Sequence, residues 1–234
     1  MQAFLGEFIG TTVLILLGTG VVAGVSLKGS YAKEGGWNSV VLAWAIAVAM
    51  GVFAAGKLSD AHLNPAVTFG MWAAGKFDGN LLPAYLGGQF AGAMLGALLT
   101  YLHYYPHWRA TEDANTKLGV FCTSPAIPHT AANLFSEFLG TFILLFGLSA
   151  LGSDFASGLK PLVVGALVAV IGFALGGTTG WAINPARDLG PRIMHALLPI
   201  PGKRDANWAY AWVPVVGPIL GGICGALAYQ FMVG

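Results

Sequence analysis

HLNPAVTFG at 62–70 and AINPARDLG at 182–190 are the two stretches that decide how this chain folds. Each opens a short apolar segment, 64–75 and 184–195, and both segments are 12 residues long. At 1.5 Å per residue, a helix of that length reaches only about 18 Å. A bilayer's hydrocarbon is roughly 30 Å thick, so neither segment can span it. Both begin Asn-Pro. Asn is a good N-cap, and Pro in the first turn lacks an amide hydrogen that would go unpaired there anyway. Two half-helices entering from opposite sides would together make one composite crossing.

Outside these segments, six apolar stretches have the length of a full span, at about 3–27, 38–57, 81–103, 131–152, 160–178 and 208–232. Open sheet edges leave backbone groups unpaired in hydrocarbon, so the spans are expected to be helices. The longest connection, 104–130, carries Arg109, Glu112, Asp113 and Lys117 and reads as a loop outside the bilayer. The expected fold is therefore an all-α membrane protein with six transmembrane helices and two re-entrant half-helices.

Composition points the same way. The chain has 234 residues, 56% of them hydrophobic and only 9% charged, and its mean hydropathy is +0.71. About a quarter of the residues in a soluble domain are charged. Eleven Lys+Arg against ten Asp+Glu leave no basic surface for nucleic acid. So much apolar surface also excludes a disordered chain. Cys122, in the polar connection, and Cys224, in an apolar stretch, are read as unpaired. The first apolar run has no basic leader region and is expected to be a retained span.

The two halves repeat one pattern. FLGEFIGTTVLILLG at 4–18 matches LFSEFLGTFILLFG at 134–147, which places Glu7 opposite Glu137. Each half holds three spans and one half-helix in the same order. Three is odd, so the second copy must enter from the opposite side, as an inverted repeat. The reading is a single membrane domain over 1–234, with repeats 1–103 and 131–234 joined by 104–130. The half-helix N-termini, about +0.5 charge each, then face each other near the midplane.

The triplets Asn64-Pro65-Ala66 and Asn184-Pro185-Ala186, in a duplicated six-span frame, resemble the aquaporin / major intrinsic protein family over nearly the whole chain. The run GTTGWAINPARDLGPR, ending at Arg192, is similar to the glycerol-facilitator branch, the aquaglyceroporins. The resemblance implies a pore in which Asn64 and Asn184 turn free amide NH₂ groups toward a passing solute oxygen. With the two helix N-termini they would break a proton wire and repel cations. The other reading of these Asn is capping alone.

The same resemblance implies a selectivity filter of Trp44, Gly172, Trp181 and Arg187. Arg187 would be a fixed donor and a barrier to cations, the alternative being a structural ion pair with Asp188. Water-selective members carry histidine at the position of Gly172, and here its absence is expected to leave room for a polyol. Two aromatic faces would hold the solute's CH backbone while Arg187 takes its hydroxyls. Trp181 departs from the usual Phe of glycerol facilitators and would reshape the aperture. Without the paired triplets, Trp44 and Trp181 would read as belt or core residues.

Carbonyls of Asp60, Ala61, His62 and Leu63, and of Gly180, Trp181, Ala182 and Ile183, are expected to line the pore. Backbone exposed at that depth is tolerable only against water or buried protein. His62 lines the inner vestibule or bonds to backbone behind it. Glu7 and Glu137 are expected to brace these segments, with a proton relay as the alternative, and Asp188 is a further support, i,i+4 from Arg192. Glycines at 88, 92, 96, 217, 221, 222 and 225 permit close helix packing.

The resemblance implies a homotetramer in the cell membrane with both termini cytoplasmic. Lys57, Lys76 and Lys160 are then inside, and Lys28, Lys33, Arg109, Lys117, Lys203 and Arg204 outside, against the positive-inside rule. The function expected is passive passage of glycerol, other small uncharged solutes and water, with ions and protons excluded. A water-selective channel is the alternative, and an ion-coupled secondary transporter the more distant one. No nucleophile–base pair, metal-ligand spacing or cofactor motif suggests an enzyme.

Overall fold

The computed structural model describes residues 1–152, 155–156 and 158–233. Among them every regular element is helical. Besides a 3-10 turn at Gly79–Leu81, these are in chain order α1 (Gln2–Ser26), α2 (Gly36–Ala55), α3 (Pro65–Ala73), α4 (Leu82–His103), α5 (Tyr105–Ala110), α6 (Ala114–Phe121), α7 (Thr130–Ala150), α8 (Leu159–Leu175), α9 (Pro185–Leu197) and α10 (Val213–Val233). The helices α1, α2, α4, α7 and α10 have the length and hydropathy to cross a membrane. α8 is apolar but has only 17 residues, about 25 Å of helix.

Two boundaries differ most from the sequence expectation. α8 stops at Leu175, short of 178, because Gly176 and Gly177 follow and the chain turns there. α10 begins at Val213, after a run of turns, with Pro214 in its first turn, where the missing amide hydrogen costs nothing. The connection 104–130 is also more structured than a loop. It holds α5 and α6, and Asp113 caps α6 by accepting from the Thr116 amide at 2.7 Å. Cys122 ends α6 in a buried position, whereas Cys224 is exposed; both are free thiols.

Glycine rows let the long helices approach closely. A Cβ on Gly88 would lie 2.6 Å from the Phe4 carbonyl, and one on Gly96 2.8 Å from the Thr12 carbonyl, so α4 packs backbone to backbone on α1. Thr19 and Thr100 hydroxyls, 2.6 Å apart, join the same pair. In the second half α10 meets α7 in the same way. Gly217 stands against Leu134 and Glu137, Gly221 against the Phe138 carbonyl and Gly225 against that of Phe142. Gly222 brings α10 onto the Ala66 carbonyl of α3, and Gly190 brings α9 onto Ala93 of α4. Each half-helix is thus gripped by the other half of the chain.

Candidate functional site

The short helices α3 and α9 meet at their N-termini. Asn64 Oδ1 accepts from the Ala66 amide at 2.9 Å, and Asn184 Oδ1 accepts from the amides of Ala186 and Arg187 at 3.0 and 3.1 Å. The caps are also tied crosswise. Asn64 Nδ2 donates to the Ile183 carbonyl and Asn184 Nδ2 to the Leu63 carbonyl, both at 2.8 Å. The expectation of a free NH₂ is therefore corrected: one N–H of each amide is committed to the opposite segment. The second remains. Leu63 and Ile183 likewise give up a carbonyl lone pair to this lock.

Both approach segments are bent into a conformation that side chains resist. Ala61, Leu63, Trp181 and Ile183 have φ of +54°, +53°, +43° and +42°, and Gly180 has +80°. Each non-glycine residue there costs about 1–3 kcal/mol unless its surroundings enforce it. The buried carboxylates supply that enforcement. Glu7 accepts from the amides of His62 (3.0 Å) and Leu63 (2.7 Å), from Ser59 Oγ (2.7 Å) and from Gln89 Nε2 (2.7 Å). Glu137 accepts from the amides of Ala182 (3.0 Å) and Ile183 (2.8 Å) and from Thr179 Oγ1 (2.6 Å). In both halves one carboxylate thus takes consecutive amides of the strained segment. Only Gly180 signalled this backbone in the sequence. Gln89 and Thr179 were missed, although a polar side chain in or beside an apolar span was a usable signal.

A cavity of about 540 Å³ runs from Trp44, Trp181 and Arg187 past Asn64 and Asn184 to Lys76 and Lys160. Its wall is two-faced. Leu14, Val48, Val67, Leu144, Leu148 and Val168 are apolar, and the segments 59–63 and 181–183 bring backbone polar groups. Asp60, Ala61, His62, Leu63, Trp181, Ala182 and Ile183 line it; Gly180 does not, and lies instead against Thr123. His62 Nδ1 is 3.2 Å from Thr68 Oγ1, and its ring packs against Phe77 and Tyr85.

At the end of the cavity next to α6 the guanidinium of Arg187 lies over the Trp44 ring, Cζ 4.1 Å from the centroid. Trp181 meets Trp44 edge to face, 6.4 Å between centroids at 70°. Gly18 of α1 supplies the space for the Trp44 ring. Gly172 requires a correction. It is not on the cavity wall, and a Cβ there would sit 2.9 Å from Trp181 Cζ2 and 3.0 Å from Cε2. The room left by the missing side chain is filled by the Trp181 indole.

The charged neighbours of Arg187 are engaged elsewhere. Asp188 is fully buried and pairs with Arg192 at 2.8 Å. Its other oxygen accepts from the Thr123 amide and hydroxyl at 2.8 and 2.7 Å. Arg192 goes on to the carbonyls of Thr123 and Ala206. Among the described residues, no protein acceptor takes a hydrogen bond from the Arg187 guanidinium, although the residue is only 9% exposed. Asp188 thus pins the α6–α7 connection and the 206–207 turn to α9, and is not the partner of Arg187. Outside the bundle, the Lys203 ammonium donates to the carbonyls of His195, Ala196 and Leu198 and so caps the end of α9. Burial among these groups lowers its pKa.

The sequence profile described as Major intrinsic protein matches residues 1–229. The chain is 56% identical over 231 residues to the glycerol uptake facilitator protein of Bacillus subtilis, covering 98% of this chain and 84% of that one. It is 55% identical over 229 residues to glycerol uptake facilitator protein 3 of Lactiplantibacillus plantarum, covering 97% and 95%. Among solved structures, the aquaglyceroporin from Plasmodium falciparum superimposes with a TM-score of 0.87 at 32% identity, covering 98% of this chain and 95% of that one.

Proposed function

The chain belongs to the major intrinsic protein family as an integral, multi-pass membrane protein, and from that membership we propose a passive channel for glycerol and other small uncharged solutes that also conducts water. The observation that carries the solute class is the Arg187 guanidinium, stacked on Trp44 and without a protein acceptor, beside the second indole of Trp181. A polyol has the matching amphipathic character. Its hydroxyl oxygens accept from Arg187 while its CH face lies against the two rings. Further along, the remaining N–H of Asn64 and of Asn184 receives the solute oxygens one at a time, and the apolar wall offers nothing to bind them tightly. The relatives named glycerol uptake facilitators support the same solute.

Trp44, Trp181 and Arg187 are in this reading the selectivity filter, with Gly172 acting from behind through Trp181. Fixed positive charge at Arg187 and at two helix N-termini opposes cations and hydronium. Glu7 and Glu137 are supports and not a proton relay, because each already accepts several hydrogen bonds from the segment it holds. The two halves form one channel domain as an inverted repeat, a reading supported by the matched bracing at Glu7 and Glu137 and by the crosswise Asn lock. We assign the protein to the cell membrane, as a homotetramer with cytoplasmic termini. Protease cleavage of 104–130 only after cells are permeabilised would reverse that orientation.

One observation favours a second reading. The Trp181 indole occupies the space that Gly172 vacates, so that space is not room for a polyol, as in a water-selective channel. Stopped-flow light scattering on proteoliposomes separates the two. Glycerol entry well above that of protein-free vesicles, together with fast water flux, supports the polyol channel. Fast water flux without glycerol entry overturns it, and glycerol accumulation against its gradient would point to a coupled transporter.

A further inference from the structure

Trp37 is the second residue of α2, and Trp44 follows seven residues later, two helical turns along the same face. Trp181 meets both. Its ring centroid is 5.4 Å from that of Trp37 at an interplanar angle of 73°, and 6.4 Å from that of Trp44 at 70°. Trp181 is therefore held edge to face by two indoles spaced along one rigid helix. The backbone of α8 is close on the same side. A Cβ on Gly176 would meet Trp37 Cζ2 at 2.9 Å and Trp181 Cε3 at 3.2 Å. Trp37 is not one of the residues that line the cavity, and it is 41% exposed. Its ring instead backs Trp181 beside Gly176.

We propose that Trp37 is a positioning residue for selectivity, which fixes the tilt of the Trp181 indole and thereby the size limit of the pore. The proposal rests on the reading of Trp44, Trp181 and Arg187 as the filter. Trp181 needs such a restraint because its own backbone is in the left-handed region, so its ring is not held by an ordinary helical or strand environment. Removing Trp37 opens a volume on the Cε3 edge, and the indole can swing into it and away from the lumen. An aromatic pair contributes about 0.5–1.5 kcal/mol beyond its buried area. That corresponds to roughly a 2- to 12-fold change in the relative passage of solutes that differ in width.

The test is a double-mutant cycle read as a permeability ratio. Glycerol, erythritol, xylitol and water permeabilities are measured on proteoliposomes of the wild type, Trp37→Ala, Trp37→Phe, Trp181→Ala and the Trp37→Ala/Trp181→Ala double variant. The expected result is a 2- to 12-fold rise in the xylitol-to-glycerol ratio for Trp37→Ala and a ratio near wild type for Trp37→Phe. In the Trp181→Ala background, replacing Trp37 should have no further effect. A merely structural or membrane-anchoring role lowers all fluxes together and leaves the ratio unchanged, which overturns the proposal. So does an equal effect of Trp37→Ala with and without Trp181. If Trp37→Ala does not fold, Trp37→Leu carries the same comparison. Failure of the wild type to pass glycerol would defeat the functional reading instead, and is seen before any variant is made.

Discussion

Replacing Gly172 by alanine puts the smallest side chain into space that the Trp181 ring already fills. The new Cβ would lie 2.9 and 3.0 Å from Trp181 Cζ2 and Cε2, and 3.1 Å from Val41 Cγ1. Ordinary carbon contacts begin near 3.5 Å, so the indole has to retreat by roughly half an ångström. Trp37 and Trp44 flank the ring, which leaves the lumen as the side open to it. Overpacking of this kind costs about 1–3 kcal/mol. If a solute that fills the filter meets a barrier raised by the same amount, its flux falls about 5- to 150-fold, at tenfold per 1.36 kcal/mol. Water, being smaller, should lose far less. The assay is stopped-flow light scattering on one batch of vesicles, with a sucrose step for water and a glycerol step for the solute, both normalised to incorporated protein. An unchanged glycerol-to-water ratio in a well-folded Gly172→Ala protein would refute the argument that Gly172 acts through Trp181. A higher ratio would refute the direction of the ring's movement.

Other substitutions probe the rest of the pore. Arg187→Val removes the fixed charge and should raise proton leak measurably in vesicles carrying a pH-sensitive dye; a leak equal to wild type would deny Arg187 its barrier role. Glu137→Gln leaves one acceptor oxygen where two served the amides of Ala182 and Ile183 and the Thr179 hydroxyl. A buried N–H without a partner costs about 1–3 kcal/mol, so a lower melting temperature in detergent and reduced flux are expected, with Glu7→Gln behaving alike. If either variant melts and conducts as the wild type does, that carboxylate is not a brace. Gly221→Val drives a branched side chain into the Phe138 carbonyl and should separate α10 from α7, whereas Gly119→Ala, with nothing within 4 Å, should be neutral or stabilising by up to about 1 kcal/mol. Comparable melting temperatures for the two would contradict the packing account.

The large features were legible because they follow from length and periodicity. Segments of 12 residues that open with Asn-Pro cannot cross a bilayer, and that length alone marks α3 and α9 as half-helices. The matched glutamates were legible too, since a carboxylate inside an apolar span needs a partner. What escaped the sequence depends on relations between distant segments. The donors Thr123 and Gln89 reach their carboxylates across 65 and 82 residues of chain, and no local pattern announces such a contact. The positive φ values at Ala61, Leu63, Trp181 and Ile183 were invisible for a different reason. They belong to residues that do not favour that region, and only the braces around them make it the resting state. Gly172 shows the same limit. A missing side chain was read as open space, when the space had been taken by a residue nine positions on.

The charges of α9 explain why Arg187 retains a free donor at all. Arg187 and Asp188 are adjacent in sequence, and adjacency suggested a pair. Successive residues on a helix point about 100° apart, however, whereas residues four apart share a face. Asp188 therefore faces Arg192, and the two are satisfied together by Thr123 and Ala206. If Asp188 instead met Arg187, the guanidinium would be neutralised and its donors occupied, and a solute hydroxyl would have to compete with a carboxylate for them. The i,i+4 pair thus has two effects. It anchors the outer connections to the half-helix, and it keeps the only acidic group of α9 away from the pore. Exchanging the two residues, Asp188→Asn with Arg192→Gln, should preserve much of that anchoring by neutral hydrogen bonds and leave glycerol selectivity intact. Placing a carboxylate against the guanidinium, as in Trp44→Glu compared with Trp44→Gln, should quench Arg187 electrostatically and lower glycerol flux while raising cation leak. Selectivity that survived the second change would mean that the free guanidinium is not what sorts the solutes.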